Sequence, residues 1–477
     1  MIFSSLLFLY IFLPVALLLF SVSKHIAYQN AILFCVSLLF YSWGGITYAI
    51  ILLLSIVVNW GLGILIERTT KRKKQLLVVT IILNLLILFI YKYANFFVDN
   101  CNTLISICGK PPIIIKKIVL PIGISFYTFQ GLSYVIDVYR GIVPAQKNFI
   151  KLGTYISMFP QLIAGPIVRY KEIQKQLDYR KLSWDNLYEG ICRFTLGIAR
   201  KVLIANQFAL VVDKVFAQNP ETLPAATAWI GILCYSIQIY YDFAGYSDMA
   251  IGLGKMLGFS FPENFNLPYI AKSIKDFWRR WHITLSAWFK DYLYIPLGGN
   301  RCSKKRLYLN LYVVFFCTGF WHGASWNFIV WGLLHGTFLV LERGKFGLLL
   351  EKCPSFLQHI YTLFVVVIAW VFFRAENLSF ALEYIKSMFG LQSNTLSNPF
   401  LWEYATWSNY FILVIAIVCS TKIISRAKDT VTYCANTNQV VSVFFYVMIA
   451  IFIVFIIVTS TTYLVVGAYN PFIYFRF

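Results

Sequence analysis

The stretch running from Asp276-Phe277-Trp278-Arg279-Arg280-Trp281-His282, through Asp291-Tyr292-Leu293-Tyr294-Ile295-Pro296-Leu297-Gly298-Gly299-Asn300-Arg301, to Gly319-Phe320-Trp321-His322-Gly323-Ala324-Ser325-Trp326 decides how this chain is read. Between Asp276 and Gly336 lie three of the five histidines, His282, His322 and His335, and six of the thirteen tryptophans. Nine Lys/Arg residues fall between Lys272 and Arg306, directly ahead of an apolar run that contains His322. Charged and titratable groups are costly to place at membrane depth, so those found there are functional candidates by default.

The surrounding sequence makes membrane depth the relevant setting. Of 477 residues, 59% are hydrophobic, mean hydropathy is +0.69, and apolar runs of span length recur from end to end. No polar stretch is long enough to fold as a separate soluble domain. Expected spans include Leu6–Phe20, Ala31–Tyr41, Tyr48–Ile66, Gln75–Ile90, Ile113–Val138, Ile150–Val168, Leu187–Val215, Ala225–Tyr241, Val313–Ile329, Val330–Leu341, Ile360–Phe373, Tyr410–Ile424 and Val441–Val458. The fold class is therefore an all-α polytopic integral membrane protein with about 11–13 membrane-embedded helices. The first run has neither a basic leader nor a cleavage site and is expected to be a retained helix.

The formal charge of +21 has two sources to weigh. Cytoplasmic loops hold Lys and Arg, and the cluster Glu67–Lys74 fixes that side, placing the N-terminus outside. The block from Lys272 to Arg306 is the part suited to an anionic substrate. Nucleic acid is excluded as a partner for want of a basic soluble domain to present to it. The ten cysteines show no metal-binding spacing, and no metal site is expected. Most look like small core residues. Cys101 and Cys108 fall in a short polar loop on the outer face, where a disulfide is one outcome.

Pro121–Tyr127 and Phe159–Pro166 are poor lipid-facing helices and read as walls of an internal cavity. The charged segment Arg169 to Asp185 is expected at the interface or in a cytoplasmic loop. Asp242 and Asp248, at the end of a predicted span, either pair with nearby cations or form a solvated helix end. Arg279, Arg280, Arg301 and Arg306 suit the phosphates of a cofactor, since a guanidinium offers a fork of donors. Snorkelling toward lipid phosphates is the alternative. On a continuous helix, Trp278, His282 and Ser286 would share a face. His322, deep in an apolar run, suits a neutral general base acting on a hydroxyl. The plainer alternative is a core histidine satisfied by an interhelical hydrogen bond, and for His335, thirteen residues on, that reading is preferred. Absence of Gly-x-Ser-x-Gly, of a phosphate loop and of His-Glu-x-x-His removes support for serine hydrolysis, ATP-driven pumping and zinc proteolysis.

Met158–Tyr170, Tyr240–Gly258, Phe277–Arg301 and Gly319–Trp326, taken in order, resemble the membrane-bound O-acyltransferase superfamily, in the branch that O-acetylates alginate and peptidoglycan. The resemblance runs over nearly the whole chain and implies one domain, residues 1–477, with N-terminal spans in 1–110, a catalytic core in 111–345 and C-terminal spans in 346–477. It implies an internal tunnel with re-entrant helices, His322 as the essential residue and His282 across the tunnel. It also implies acetyl-CoA as cytoplasmic donor, no permanently bound cofactor, and an extracytoplasmic polysaccharide or secreted protein as acceptor. The location it implies is a bacterial cytoplasmic membrane. The D-alanyl transfer proteins of teichoic acid synthesis are cousins, and Ile295–Arg301 favours the acetylating branch. Rival readings are a transporter of a lipid-linked sugar, which would tolerate His322→Gln, and a scaffold for polysaccharide secretion.

Overall fold

The computed structural model describes residues 2–392, 406–427, 429–430, 439–467 and 469–473. Among these, all regular structure is helical and no strand occurs. In chain order the helices are α1 (Phe8–Ser21), α2 (Ile26–Ser42), α3 (Ile46–Arg68), α4 (Lys73–Ile107), α5 (Ile124–Tyr139), α6 (Phe149–Ser157), α7 (Phe159–Leu162), α8 (Tyr170–Asp178), α9 (Trp184–Phe216), α10 (Ala225–Met256), α11 (Ile274–Arg280), α12 (Ile283–Phe289), α13 (Lys304–His322), α14 (Trp326–Glu342), α15 (Lys345–Lys352), α16 (Ser355–Arg374), α17 (Leu378–Met388), α18 (Trp407–Cys419) and α19 (Gln439–Val466). Five of them, α3, α4, α9, α16 and α19, are long and apolar enough to cross a membrane. Shorter apolar helices are α1, α2 and α18. Along α19, Phe444, Val447, Phe452, Val454, Phe455 and Val458 are all exposed, a face that water would not tolerate and lipid does.

The core is a pair of long helices. α9 and α10 approach backbone to backbone at two glycine pairs, each partner seven residues from the next. A Cβ on Gly197 would lie 2.6 Å from the Gly245 carbonyl oxygen, and one on Gly190 would lie 2.7 Å from that of Gly252. Small residues at these crossings let helices in lipid gain packing and polar contacts that larger side chains would block.

Through this contact α9 brings cations to the carboxylates of α10. Asp248 takes Arg193 at 2.6 Å and also Arg200, while Asp242 pairs with Lys201 at 2.6 Å with both side chains 2% exposed. These carboxylates therefore sit mid-helix and buried, not at a solvated end. α10 runs fifteen residues beyond the Tyr241 expected from hydropathy, because a charge neutralised by a neighbouring helix no longer ends a span.

Other expectations shift for similarly local reasons. The span drawn from Ile113 is helical only from Ile124, since Pro121 would fall inside it with no N–H for the carbonyl four residues back and a ring that crowds that carbonyl. Cys101 lies within α4 and Cys108 caps it, and neither is bridged. Seven residues of helix separate them by about 10 Å, beyond the reach of a disulfide. Cys35 faces outward and Cys234, Cys317 and Cys419 are only half-buried, because an apolar residue on a membrane helix need not enter the core.

The segment from Arg169 forms the short helix α8, which buries Tyr170, Ile173 and Leu177. Helix α17 lies between the spans expected over Ile360–Phe373 and Tyr410–Ile424. Residues 393–405, 431–438 and 474–477 lie outside the described residues.

Candidate active site

His322 is the last residue of α13, and Gly323-Ala324-Ser325 turns the chain into α14. The span expected over Val313–Ile329 is thus a helical hairpin with the imidazole at its bend. Close packing sets the bend: a Cβ on Gly319 would meet the Phe328 carbonyl oxygen at 2.2 Å, and one on Gly332 would meet that of Phe315 at the same distance. The imidazole, 4% exposed, lies among Trp321, Trp331 and Phe373, with ring centroids 5.0, 5.0 and 5.1 Å away. The indole N–H groups of Trp321 and Trp331 are buried and have no hydrogen-bond acceptor among the described residues.

His282 reaches the same place by a different route. The predicted continuous helix is broken here: α11 ends at Arg280, α12 starts at Ile283, and His282 sits between them at φ 43°. Trp278, His282 and Ser286 accordingly do not share one helical face. The break is made by an extended strip of chain that takes the freed backbone groups. The amide of Asn266 donates to the Arg280 carbonyl at 2.9 Å, and the amide of Ile283 donates to that of Asn264 at 2.9 Å. A non-glycine residue in this conformation is uncommon and persists where its surroundings over-determine it.

Asn264 also sets the tautomer of His282. Its side-chain oxygen accepts from the Thr284 amide at 3.3 Å and the Thr284 hydroxyl at 2.9 Å, and its Nδ2 donates to Ser247 at 3.0 Å. A backbone N–H only donates, so the atom facing His282 Nδ1 at 3.0 Å is an acceptor and Nδ1 carries the proton. The lone pair is then on Nε2, which is buried without a hydrogen-bond partner among the described residues. The His282 and His322 rings stand 6.4 Å apart, so one oxygen between them is within hydrogen-bond reach of both.

Replacing Asn264 by Leu strands the Thr284 donors and releases the tautomer. The expected cost is about 1–3 kcal/mol of stability and a fall in activity of roughly ten-fold or more. Thermal unfolding and transfer assays run in parallel, with Asn264→Asp as the variant that keeps an acceptor, check this.

Three cavities reach α13 at or near His322. One of about 200 Å³ has Lys275, Arg279, Lys290 and Arg343 at its mouth, and walls of Trp278, Leu285, Phe289 and Phe315 leading to Thr318, one turn before His322. A pit of about 780 Å³ on the other side takes in Gly323, Ala324 and Ser325, with aromatic residues (Phe96, Phe328, Phe373) and a mixture of charged ones (Lys92, Asp213, Arg374). A chamber of about 80 Å³ is lined by His322, Trp321, Lys92 and the turn Pro121–Phe126. The broken segments around Pro121 and Phe159 do wall internal space, Ile163 reaching the chamber.

Of the four arginines expected at a cofactor, Arg279 alone lines the basic cavity, and Arg306 is exposed. Arg280 is turned to Asp276 at 3.0 Å and to the Asn266 carbonyl, and Arg301 is exposed beyond the mouth. His335, now on a separate helix from His322, accepts the Trp278 indole N–H at 3.3 Å and is a packed core residue.

Lys92 escaped the sequence reading. It follows the apolar run Gln75–Ile90 between two tyrosines, and a lone lysine at the end of a span is itself the signal that could have found it.

A buried imidazole pair, with a cationic cavity one turn before His322 and a wide pit beginning one residue after it, suits an acyl-transfer class of membrane protein, and the comparisons agree. Residues 144–383 match the model of the membrane-bound O-acyltransferase family. The chain belongs to this family, and it is an O-acyltransferase. It is 44% identical over 401 residues to the probable alginate O-acetylase of Pseudomonas aeruginosa, covering 83% of this chain and 76% of that one. With the probable alginate O-acetylase of Pseudomonas putida it shares 39% identity over 495 residues and the full length of both. The peptidoglycan O-acetyltransferase of Helicobacter pylori is 38% identical over 435 residues, with 83% and 81% covered.

Proposed function

We propose that this protein is an O-acetyltransferase of a bacterial cytoplasmic membrane, taking acetyl from acetyl-CoA in the cytoplasm and delivering it to a hydroxyl of an extracytoplasmic polysaccharide. The acceptor is alginate-like or peptidoglycan, reached directly or through a secreted partner. One observation carries this reading: α13 meets two cavities of unlike chemistry on either side of His322, a narrow one with four cations that it lines at Thr318 and a wide one of mixed aromatic and charged lining that begins at Gly323. Lys and Arg mark the cytoplasmic side of a membrane protein, which turns the narrow mouth inward.

In this reading the donor's phosphates lie against Arg279, Lys275, Lys290 and Arg343, and its thioester arm follows the apolar wall toward Thr318. The acceptor enters through the pit. His322 takes the hydroxyl proton as oxygen attacks the thioester carbonyl carbon. The C–S bond of the tetrahedral intermediate then breaks, and the imidazolium returns the proton to the departing sulfur. The developing oxyanion is met by the indole N–H groups of Trp321 and Trp331, which have no other acceptor. His282, whose Nε2 offers only a lone pair, orients the bound donor.

The test uses protein in nanodiscs with radiolabelled acetyl-CoA, following thioester loss and the label's arrival on alginate, peptidoglycan fragments or a co-expressed secreted partner. The double variant Arg279→Ala/Arg343→Ala is expected to raise KM for acetyl-CoA roughly ten-fold with little change in kcat, and the effect should shrink at high salt. An unchanged KM would argue against this mouth as the donor entrance. Absence of any acetyl-CoA turnover by the unmodified protein, with every acceptor, would overturn the donor.

A further inference from the structure

We propose that Lys92 is a positioning residue of the transfer site, its ammonium clamping the end of the helix that carries His322; this rests on the acyl-transfer reading above. The last carbonyls of a helix have no partner within it and form the negative end of its dipole. At the end of α13 three successive carbonyls are taken by two successive side chains of one π-helical turn, Phe89–Tyr93, inside α4. The Tyr93 hydroxyl donates to the Phe320 carbonyl at 2.9 Å. Lys92 Nζ donates to the Trp321 carbonyl at 2.5 Å and the His322 carbonyl at 3.1 Å, and its third contact is the Ser125 hydroxyl at 3.3 Å. The rings of Tyr93 and Phe320 stack at 4.1 Å, fixing the two helices together at that level.

Two further observations separate this from ordinary helix capping. No carboxylate pairs with Lys92 among the described residues, so a cation in an apolar span spends its charge on backbone carbonyls of the catalytic helix. Lys92 also lines both the outer pit and the small chamber that holds the His322 imidazole, so it stands where one opens toward the other. The π-turn is what makes the reach: one extra residue in the turn re-aims the side chains that follow, a device found at functional sites. Lys92 thus holds the backbone of His322 at a fixed height against the pit while its positive charge faces the path to the imidazole.

The test compares Lys92→Met, Lys92→Gln and Lys92→Arg in nanodiscs by hydrogen exchange over Gly319–Ser325 and by label transfer from acetyl-CoA. Lys92→Met and Lys92→Gln are expected to speed exchange in that segment by about ten-fold. They are expected to lower kcat by roughly 100-fold with KM for acetyl-CoA nearly unchanged. Lys92→Arg, which keeps the charge and several donors, should restore both to within about five-fold of the unmodified chain. Unchanged exchange in the Met and Gln variants would overturn the clamp, and so would faster exchange with full transfer. If the Met variant does not fold, the Gln variant carries the comparison. Failure of the unmodified protein to use acetyl-CoA counts against the donor alone, and the exchange measurement still decides the clamp.

Discussion

His322→Ala is expected to lower transfer by roughly 10²- to 10⁴-fold while the protein still inserts and purifies as a folded chain. The residue lies at the bend between α13 and α14, and the bend is held by glycine contacts and by neighbouring aromatics, not by the imidazole itself. Truncation leaves a small void among Trp321, Trp331 and Phe373, a cost of about 1–3 kcal/mol that the many surrounding contacts absorb. His322→Gln fills most of the space and keeps an acceptor, yet cannot exchange a proton with the reactants. It is therefore expected to be as inactive as the alanine variant. Label transfer beside thermal unfolding checks both, and retained activity in the glutamine variant would remove the general-base role.

The second large effect is on stability and concerns a pair the catalytic chemistry does not touch. Asp242→Ala leaves the Lys201 ammonium, 2% exposed, without its carboxylate and removes the acceptor for the Ile473 amide at 2.8 Å. Breaking a buried ion pair from one side costs about 3–5 kcal/mol, which is enough to unfold many proteins at physiological temperature. Lys201 additionally donates to the Pro471 carbonyl, so the variant frees both the pair and the chain segment it holds. Lys201→Met/Asp242→Leu, which removes both charges, should recover much of the loss. Melting of the two variants in the same nanodiscs measures this. A single variant as stable as its parent would mean that water or lipid headgroups reach the site.

How much of this was legible in the sequence follows from where each signal resides. The Gly319–Trp326 motif announced His322 because a histidine inside an apolar run is costly on its face, whatever surrounds it. The broken walls around Pro121 and Phe159 were legible because proline acts locally. The break at His282 was not, since Trp281-His282-Ile283 contains no residue that disfavours helix. It is imposed by Asn266 and Asn264, which bond the backbone of Arg280 and Ile283 across fourteen and nineteen residues of sequence. Hydropathy likewise ended this span at Tyr241, just before Asp242, because it counts a charge without seeing that α9 brings Lys201 to it. Proximity in sequence grouped Arg280, Arg301 and Arg306 with Arg279, whereas the cationic cavity takes Arg343 from the far end of α14 instead.

The closing segment at residues 469–473 has a consequence for biosynthesis. Asn470 is bonded to Ser4 at 2.9 and 3.0 Å, Phe472 stacks on Tyr246 at 4.7 Å, and Ile473 forms part of the pit wall. A ribosome will have inserted both histidines well over a hundred residues before it releases these contacts. During that interval Asp242 and Lys201 are in the membrane with each other, but without the backbone groups that complete their shell. The wall of the pit and the backbone groups around Asp242 and Lys201 are thus completed only after residues 469–473 have been synthesised and reach them.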